Sequence, residues 1–117
     1  MVGLSPIPNK ATMTTELISG VTVSTRASVY FDGKCVSHGL TFADGTRKSV
    51  GVVLPATLRF NTEAAEVMEC TAGDCDYRLA GSDDWIAVKA GEQFSIPENS
   101  YFDIRVTNAF HYICHYA

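Results

Sequence analysis

The side chain in this sequence best placed to do chemistry is a carboxylate within a strand pattern. Successive strand residues point to opposite faces, so Glu66, Met68 and Cys70 fall together on one of them. If the apolar-rich face lines an interior, Glu66 points inward with it. A carboxylate buried without partners costs several kcal/mol or takes up a proton. Glu66 therefore needs hydrogen-bond donors, and the hydroxyls of Thr62 and Ser49 are candidates. Around Glu66 the spacing is distinctive: six residues separate it from Gly73, five separate Gly91 from Pro97, and Asn99 follows two positions later.

These spacings are similar to the two half-motifs of the cupin fold, in which a His-x-His pair precedes the Glu and one His follows the Pro. Here the three His positions hold Phe60, Thr62 and Phe102, and Asn99 stands at a Gly position. A divalent-cation site of this kind needs imidazole nitrogens converging with the carboxylate, and only Glu66 of that set remains. The expectation is no metal. A metal site using His38, Glu66 and His115 is a third alternative, disfavoured because no histidine occupies a motif position.

Other residues carry weaker signals. Phe60, Phe102 and Tyr112 could form a stacking surface for a flat ligand or simply belong to the core. Arg47 and Lys48 beside a Gly turn, Arg59 and Arg105 are the choices for an anion, arginine being suited to bidentate phosphate binding. Arg59 and Arg105 alternate with Phe60 and Phe102, which points them to the opposite face. His38, His111 and His115 could serve as a general acid, because histidine titrates near neutrality; His38 ranks first. Adjacent strand residues point apart, so Cys114 and His115 do not form a nucleophile pair.

The elements that must position these groups are short. Runs rich in β-branched and aromatic residues recur every eight to twelve residues from about position 28, separated by Gly, Asp, Asn and Pro. They read as strands at 34–40, 48–54, 57–61, 66–71, 75–80, 85–88, 93–96, 101–106 and 111–116. Turns are expected at Asp32-Gly33, Asp44-Gly45, Ala72-Gly73-Asp74, at 81–84, and at Ala90-Gly91-Glu92. The fold class is all-β, a single cupin-type jelly-roll barrel at 28–117 preceded by a Ser-, Thr- and Pro-rich arm at 1–27. The Thr-rich part of that arm could pair with a neighbouring copy.

At 117 residues and 46% hydrophobic content the chain suits one domain with a real core. A net charge of −4 argues against nucleic acid as a partner, since a coating surface needs clustered Lys and Arg. No apolar run is long enough for a membrane span, and the N-terminal residues lack the apolar stretch of a signal peptide. The four cysteines, Cys35, Cys70, Cys75 and Cys114, have no Cys-x-x-Cys spacing and read as free buried thiols. These features lead to an expected cytoplasmic location.

The order of several separated segments resembles one family. Phe31-Asp-Gly-Lys-Cys-Val-Ser-His38, Lys48-Ser-Val-Gly-Val-Val-Leu-Pro55, Phe60-Asn-Thr62, Glu66-Val-Met68, Gly91-Glu-Gln-Phe-Ser-Ile-Pro97, Ser100-Tyr-Phe102 and the Tyr112-Ile-Cys-His-Tyr116 ending are similar to the bacterial pyrimidine/purine nucleoside phosphorylases. The resemblance implies a small barrel, dimeric, that cleaves purine and pyrimidine nucleosides reversibly to free base and ribose 1-phosphate. Inorganic phosphate is then a co-substrate and no cofactor is needed. This is glycosyltransferase chemistry, specifically pentosyl transfer, of broad specificity. Such a reaction builds positive charge on the ribose ring, which a carboxylate can stabilise. Glu66 and His38 are the catalytic candidates on this reading. Phe60, Thr62, Phe102, Tyr112 and Ser49 are assigned to substrate, and Arg47, Lys48 and Arg59 to phosphate. The alternative is a non-catalytic cupin that binds a small ligand, for which Glu66 and the aromatic residues suffice.

Overall fold

The computed structural model describes residues 17–116. Ten strands follow one another: β1 (Val21–Val23), β2 (Ser28–Tyr30), β3 (Cys35–Phe42), β4 (Arg47–Val53), β5 (Ala56–Asn61), β6 (Glu66–Leu79), β7 (Ile86–Lys89), β8 (Gln93–Ile96), β9 (Tyr101–Val106) and β10 (Phe110–Tyr116). A single 3-10 turn at Phe31–Gly33 is the only helical element among the described residues. No helix there is long and apolar enough to cross a membrane.

All strand pairs are antiparallel. One sheet runs β1-β3-β4-β10-β6, with β2 beside β1 along β3 and β8 on the far side of β6. A second sheet is formed by β5, β9, the latter half of β6, and β7. The two fold over a shared core in an all-β jelly-roll. The first strand, Val21–Val23, lies within the stretch that the sequence reading assigns to an arm, and it pairs with Leu40–Phe42 of β3. The arm's residues 1–16 lie outside the described residues.

One expected turn is absent. Ala72-Gly73-Asp74 does not separate two strands; β6 runs through it for fourteen residues. The pairing with β10 shifts between His111 and Tyr112, from His111↔Ala72 to Tyr112↔Cys70, so Thr71 is the extra residue of a bulge. Gly73 follows with φ +74°, a value that costs glycine little and other residues strain. Its backbone packs against the Ala109 carbonyl so closely that a Cβ would collide with that oxygen. A Gly signal inside a strand thus marks a bend between sheets, a use of glycine that sequence pattern alone does not distinguish from a turn.

The core joins both sheets. Phe102, Phe110, Ile96, Ile104, Val53, Cys35 and Cys70 are its most deeply buried side chains. All four cysteines are buried and free. Asn99, at a motif position that calls for Gly, has φ +51°, a left-handed conformation that asparagine tolerates better than most residues. Its backbone N–H donates to the Glu63 carbonyl at 3.0 Å.

Gly73→Ala should lower unfolding free energy by at least about 2 kcal/mol, because it adds left-handed backbone strain to a collision with backbone. Gly45→Ala, with φ +88° and open space around its Cβ, carries the conformational cost alone. Urea titration of both variants, with Gly45→Ala the milder, checks the assignment.

Candidate active site

Alternation along β3, β4, β6 and β10 and the edge strand β5 bring a set of residues around one cavity of about 340 Å³. β10 contributes Tyr112, Cys114 and Tyr116; β6 contributes Glu66 and Met68; β4 and β3 contribute Ser49 and Ser37. The opposite wall is Phe60 and Asn61 from β5 with Phe102 from β9, and Tyr30 and Phe31 stand at the cavity's edge. The size is within the range of small-molecule sites, and the lining combines aromatic walls with a few polar groups.

The polar groups cluster around Glu66. Tyr116 is its direct cross-strand neighbour, and Cys114 lies opposite both Ser49 and Met68. The Ser49 Oγ and Tyr116 hydroxyl are 3.0 Å apart in a hydrogen bond. Burial raises the Glu66 pKa, and a hydrogen bond with the Cys114 thiol partly offsets this. Burial first, and then the Glu66 charge, push Cys114 up to about 12. Cys114 is therefore a neutral thiol at physiological pH, suited to donating a hydrogen bond and unsuited to nucleophilic attack. Burial likewise raises Tyr116.

Tyr112 depends on a glycine. Its hydroxyl lies 3.5 Å from the Cys35 Sγ, and burial raises its pKa strongly. Gly51 is its cross-strand partner on β4. A Cβ at Gly51 would fall 2.7 Å from that hydroxyl and 2.6 Å from the Val36 carbonyl oxygen, so only glycine lets the phenol lie across β4.

Phe60 and Phe102 face each other across β5 and β9, with ring centroids 5.4 Å apart and planes 18° from parallel. Phe102 is 1% exposed and belongs to the core; Phe60 is half-buried and presents itself to the cavity. Thr62, the third residue at a motif His position, is buried outside the cavity lining. Its hydroxyl donates to the Pro97 carbonyl at 2.7 Å and accepts from the Ser100 N–H at 3.0 Å, tying two loops together. Two phenyl rings and a committed hydroxyl therefore stand where cupin metal ligands would, and these groups do not fit a cation. No group of three His, Cys, Asp or Glu converges among the described residues.

The candidate cations are spread apart. Arg59 lines the cavity. Its guanidinium donates to both Asp103 oxygens, at 2.7 and 3.2 Å, and stacks 4.0 Å from the Tyr101 ring centroid. Arg78 also donates to Asp103, at 3.0 Å. The hydrogen bond from Arg59 is the largest influence holding the Asp103 carboxyl below its usual range. The Arg59 side chain remains 55% exposed, so it is a fixed cation with further N–H groups available. Arg105 pairs with Asp76 and stacks on Trp85, away from the cavity. Arg47 is exposed at the start of β4 and does not line the cavity.

Lys48 and the histidines also lie elsewhere. Lys48 Nζ donates to His115 Nδ1 at 2.6 Å, and His115 Nε2 donates to Glu69 at 2.9 Å, on the sheet face opposite Ser49 and Cys114. His38 and His111 line an apolar groove on the outer face of the first sheet, and His38 Nδ1 is 2.9 Å from the Ser24 carbonyl oxygen. The structure thus brings together Glu66, Ser49, Phe60, Phe102, Tyr112 and Arg59 and leaves out His38, Thr62, Arg47 and Lys48. Sequence reasoning overlooked Tyr116 and Cys114 as cavity residues, although their alternation with Tyr112 carried the signal. It also overlooked Tyr30 and Phe31, which no periodicity marks.

Comparisons with known proteins give the family and the fold. The family model for pyrimidine/purine nucleoside phosphorylase matches residues 25–116. A relative of that name from Delftia acidovorans is 69% identical over 105 residues, covering 90% of this chain and all of that protein. A crystal structure from Acinetobacter sp. ADP1, described as a protein of unknown function, superposes with a TM-score of 0.85 at 39% identity, covering 86% of this chain and 98% of the other. An RmlC-like cupin from Shewanella frigidimarina has a TM-score of 0.63 at 14% identity over 79% of this chain and 82% of its own, a likeness of fold.

The raised Glu66 pKa has a consequence for stability. Between the unfolded and the folded pKa the native state holds the extra proton, so stability falls as pH rises through that window. Glu66→Gln removes this penalty. Relative to wild type it should be more stable at pH 8 and indistinguishable below about pH 4, where both states are protonated. Paired urea titrations at the two pH values check the sign.

Proposed function

The chain belongs to the pyrimidine/purine nucleoside phosphorylase family, and on that premise we propose that it cleaves purine and pyrimidine nucleosides with inorganic phosphate. The products are free base and ribose 1-phosphate, and the reaction is a reversible pentosyl transfer that proceeds without a metal. The observation that carries the reading is a single half-buried carboxylate, Glu66, set in an aromatic-walled cavity, with Arg59 among the described lining residues and its guanidinium held by Asp103 on the face of β5 opposite Phe60.

In this reaction the bond between C1′ and the base nitrogen breaks, its electron pair leaving with the base, while a phosphate oxygen bonds to C1′ and the proton that hydrogen phosphate gives up passes to the base nitrogen. Positive charge builds on the ribose ring between the two events. Glu66 is placed to accept hydrogen bonds from ribose hydroxyls and to stabilise that charge, an electrostatic contribution made strong by partial exclusion of water. The Cys114 thiol holds the Glu66 carboxylate by donating to it. Phe60 offers an apolar surface for the base. Stacking on such a surface reads no hydrogen-bonding edge, which suits a range of bases.

Arg59 is the group assigned to phosphate. Asp103 and Tyr101 fix its guanidinium, so little side-chain entropy is lost when an anion docks on its remaining N–H groups. His38, Arg47 and Lys48 take no part in this reading because they lie away from the cavity.

The same reading includes a homodimer. The outer face of the first sheet carries Val21, Val36, Val50 and Val52 around an apolar groove of about 610 Å³, a surface suited to a second copy. Sedimentation showing only monomer at micromolar concentration would remove this part.

The deciding experiment is release of free base from inosine and uridine, with and without phosphate, in the presence of a chelator. Wild type should release base only with phosphate. Glu66→Gln should lower kcat at least about a hundredfold with the fold retained, and Arg59→Ala should raise the KM for phosphate more than that for nucleoside. Absence of release from both nucleosides would leave the chain a ligand-binding cupin.

A further inference from the structure

The turn at the cavity's edge has an unusual backbone. Phe31 and Asp32 both have φ +54°, and Gly33 follows at +91°. Glycine adopts such values freely, whereas a phenylalanine there is a genuine outlier. Strained conformations of this kind persist only where surrounding structure holds them, and they concentrate at ligand sites.

The surroundings identify what the strain achieves. Tyr30 pairs with Cys35, the Lys34 N–H donates to the Phe31 carbonyl at 3.1 Å, and the Leu54 N–H donates to the Lys34 carbonyl at 2.8 Å. The turn is therefore anchored on both sides. Its strained centre directs the Phe31 ring onto Phe60, with centroids 5.2 Å apart and planes at 79°. Core packing does not account for this placement, because Phe31 remains 41% exposed and Tyr30 48% exposed. Both nevertheless line the cavity.

Two rings nearly at right angles form a corner with apolar walls. A flat heteroaromatic ring stacked on one wall meets the other along its edge, both favourable aromatic geometries. We infer that Phe31 is a substrate-contacting residue whose ring forms, with Phe60, the corner that receives the nucleobase. This rests on the nucleoside reading of the same cavity and adds a residue that positions the base. Neither ring carries a hydrogen-bonding group, so the corner selects for a flat aromatic shape and accepts one-ring and two-ring bases. The Arg59 guanidinium has its own partners, Asp103 and Tyr101, and is held by neither ring of the corner.

The test combines turnover with direct binding. Hypoxanthine and uracil binding is measured by calorimetry on wild type, Phe31→Ala, Phe31→Gly and Phe31→Tyr, alongside steady-state kinetics for inosine, uridine and phosphate. Phe31→Ala should weaken both bases and raise both nucleoside KM values about tenfold, with the KM for phosphate unchanged. Phe31→Tyr should restore wild-type binding. Phe31→Gly should lose base affinity equally yet melt at or above the temperature of Phe31→Ala, because glycine relieves the backbone. Unaltered base binding in Phe31→Ala, or absence of base binding by wild type, would overturn the inference. If wild type binds bases through Phe31 but releases none from nucleosides, the nucleoside phosphorylase reading fails and the corner stands.

Discussion

The close approach of Gly73 to the Ala109 carbonyl is the contact on which the arrangement of the barrel depends. At this point β6 leaves its ladder with β10 and β8 and enters the ladder with β7 and β9. One strand thereby belongs to two sheets, and the bulge at Thr71 takes up the change of register. Because Glu66 and Met68 lie on the first half of β6 while β9 carries Phe102 against the second half, the bend sets the distance between the carboxylate and the aromatic wall. A side chain at position 73 would push the β9–β10 connection away.

Replacing metal ligands with phenyl rings changes what the barrel interior can do. A cation at the cupin position would polarise a ligand directly. Here Phe60 and Phe102 stand at those ligand positions, and burial raises the Glu66 carboxyl pKa. The neutral Cys114 thiol supplies a hydrogen bond to that carboxylate, and beside it the Ser49 and Tyr116 hydroxyls bond to each other. The cationic residue among the described lining, Arg59, has its guanidinium held by Asp103.

Function and structure are divided between the faces of each sheet. On the first sheet, odd and even positions of β10 separate Tyr112, Cys114 and Tyr116 from His111 and His115. The inner set lines the cavity, while His115 joins Lys48 and Glu69 in a hydrogen-bonded chain on the other face. On the second sheet, Arg78 and Arg105 both stack on Trp85, on the face opposite Phe102 and Ile104. These outer contacts brace the sheets from the outside without reaching the interior.

The sequence by itself determined the class of the fold and the inward direction of Glu66, because both follow from the two-residue period of strands, which is local. The same period separated His111 and His115 from Tyr112, and it contained the signal for Tyr116 and Cys114. It also marked Gly73 as special but not as a bend, since a bulge is defined by the partner strand's register. Tertiary structure alone decided which cations and histidines meet the cavity. What holds Arg59 and Lys48 depends on where long side chains find partners, Asp103 in one case and His115 in the other, and those partners are 44 and 67 residues away. Tertiary structure also placed Phe31, because a left-handed turn has no periodicity and its conformation is held by contacts with Phe60 and the neighbouring strands.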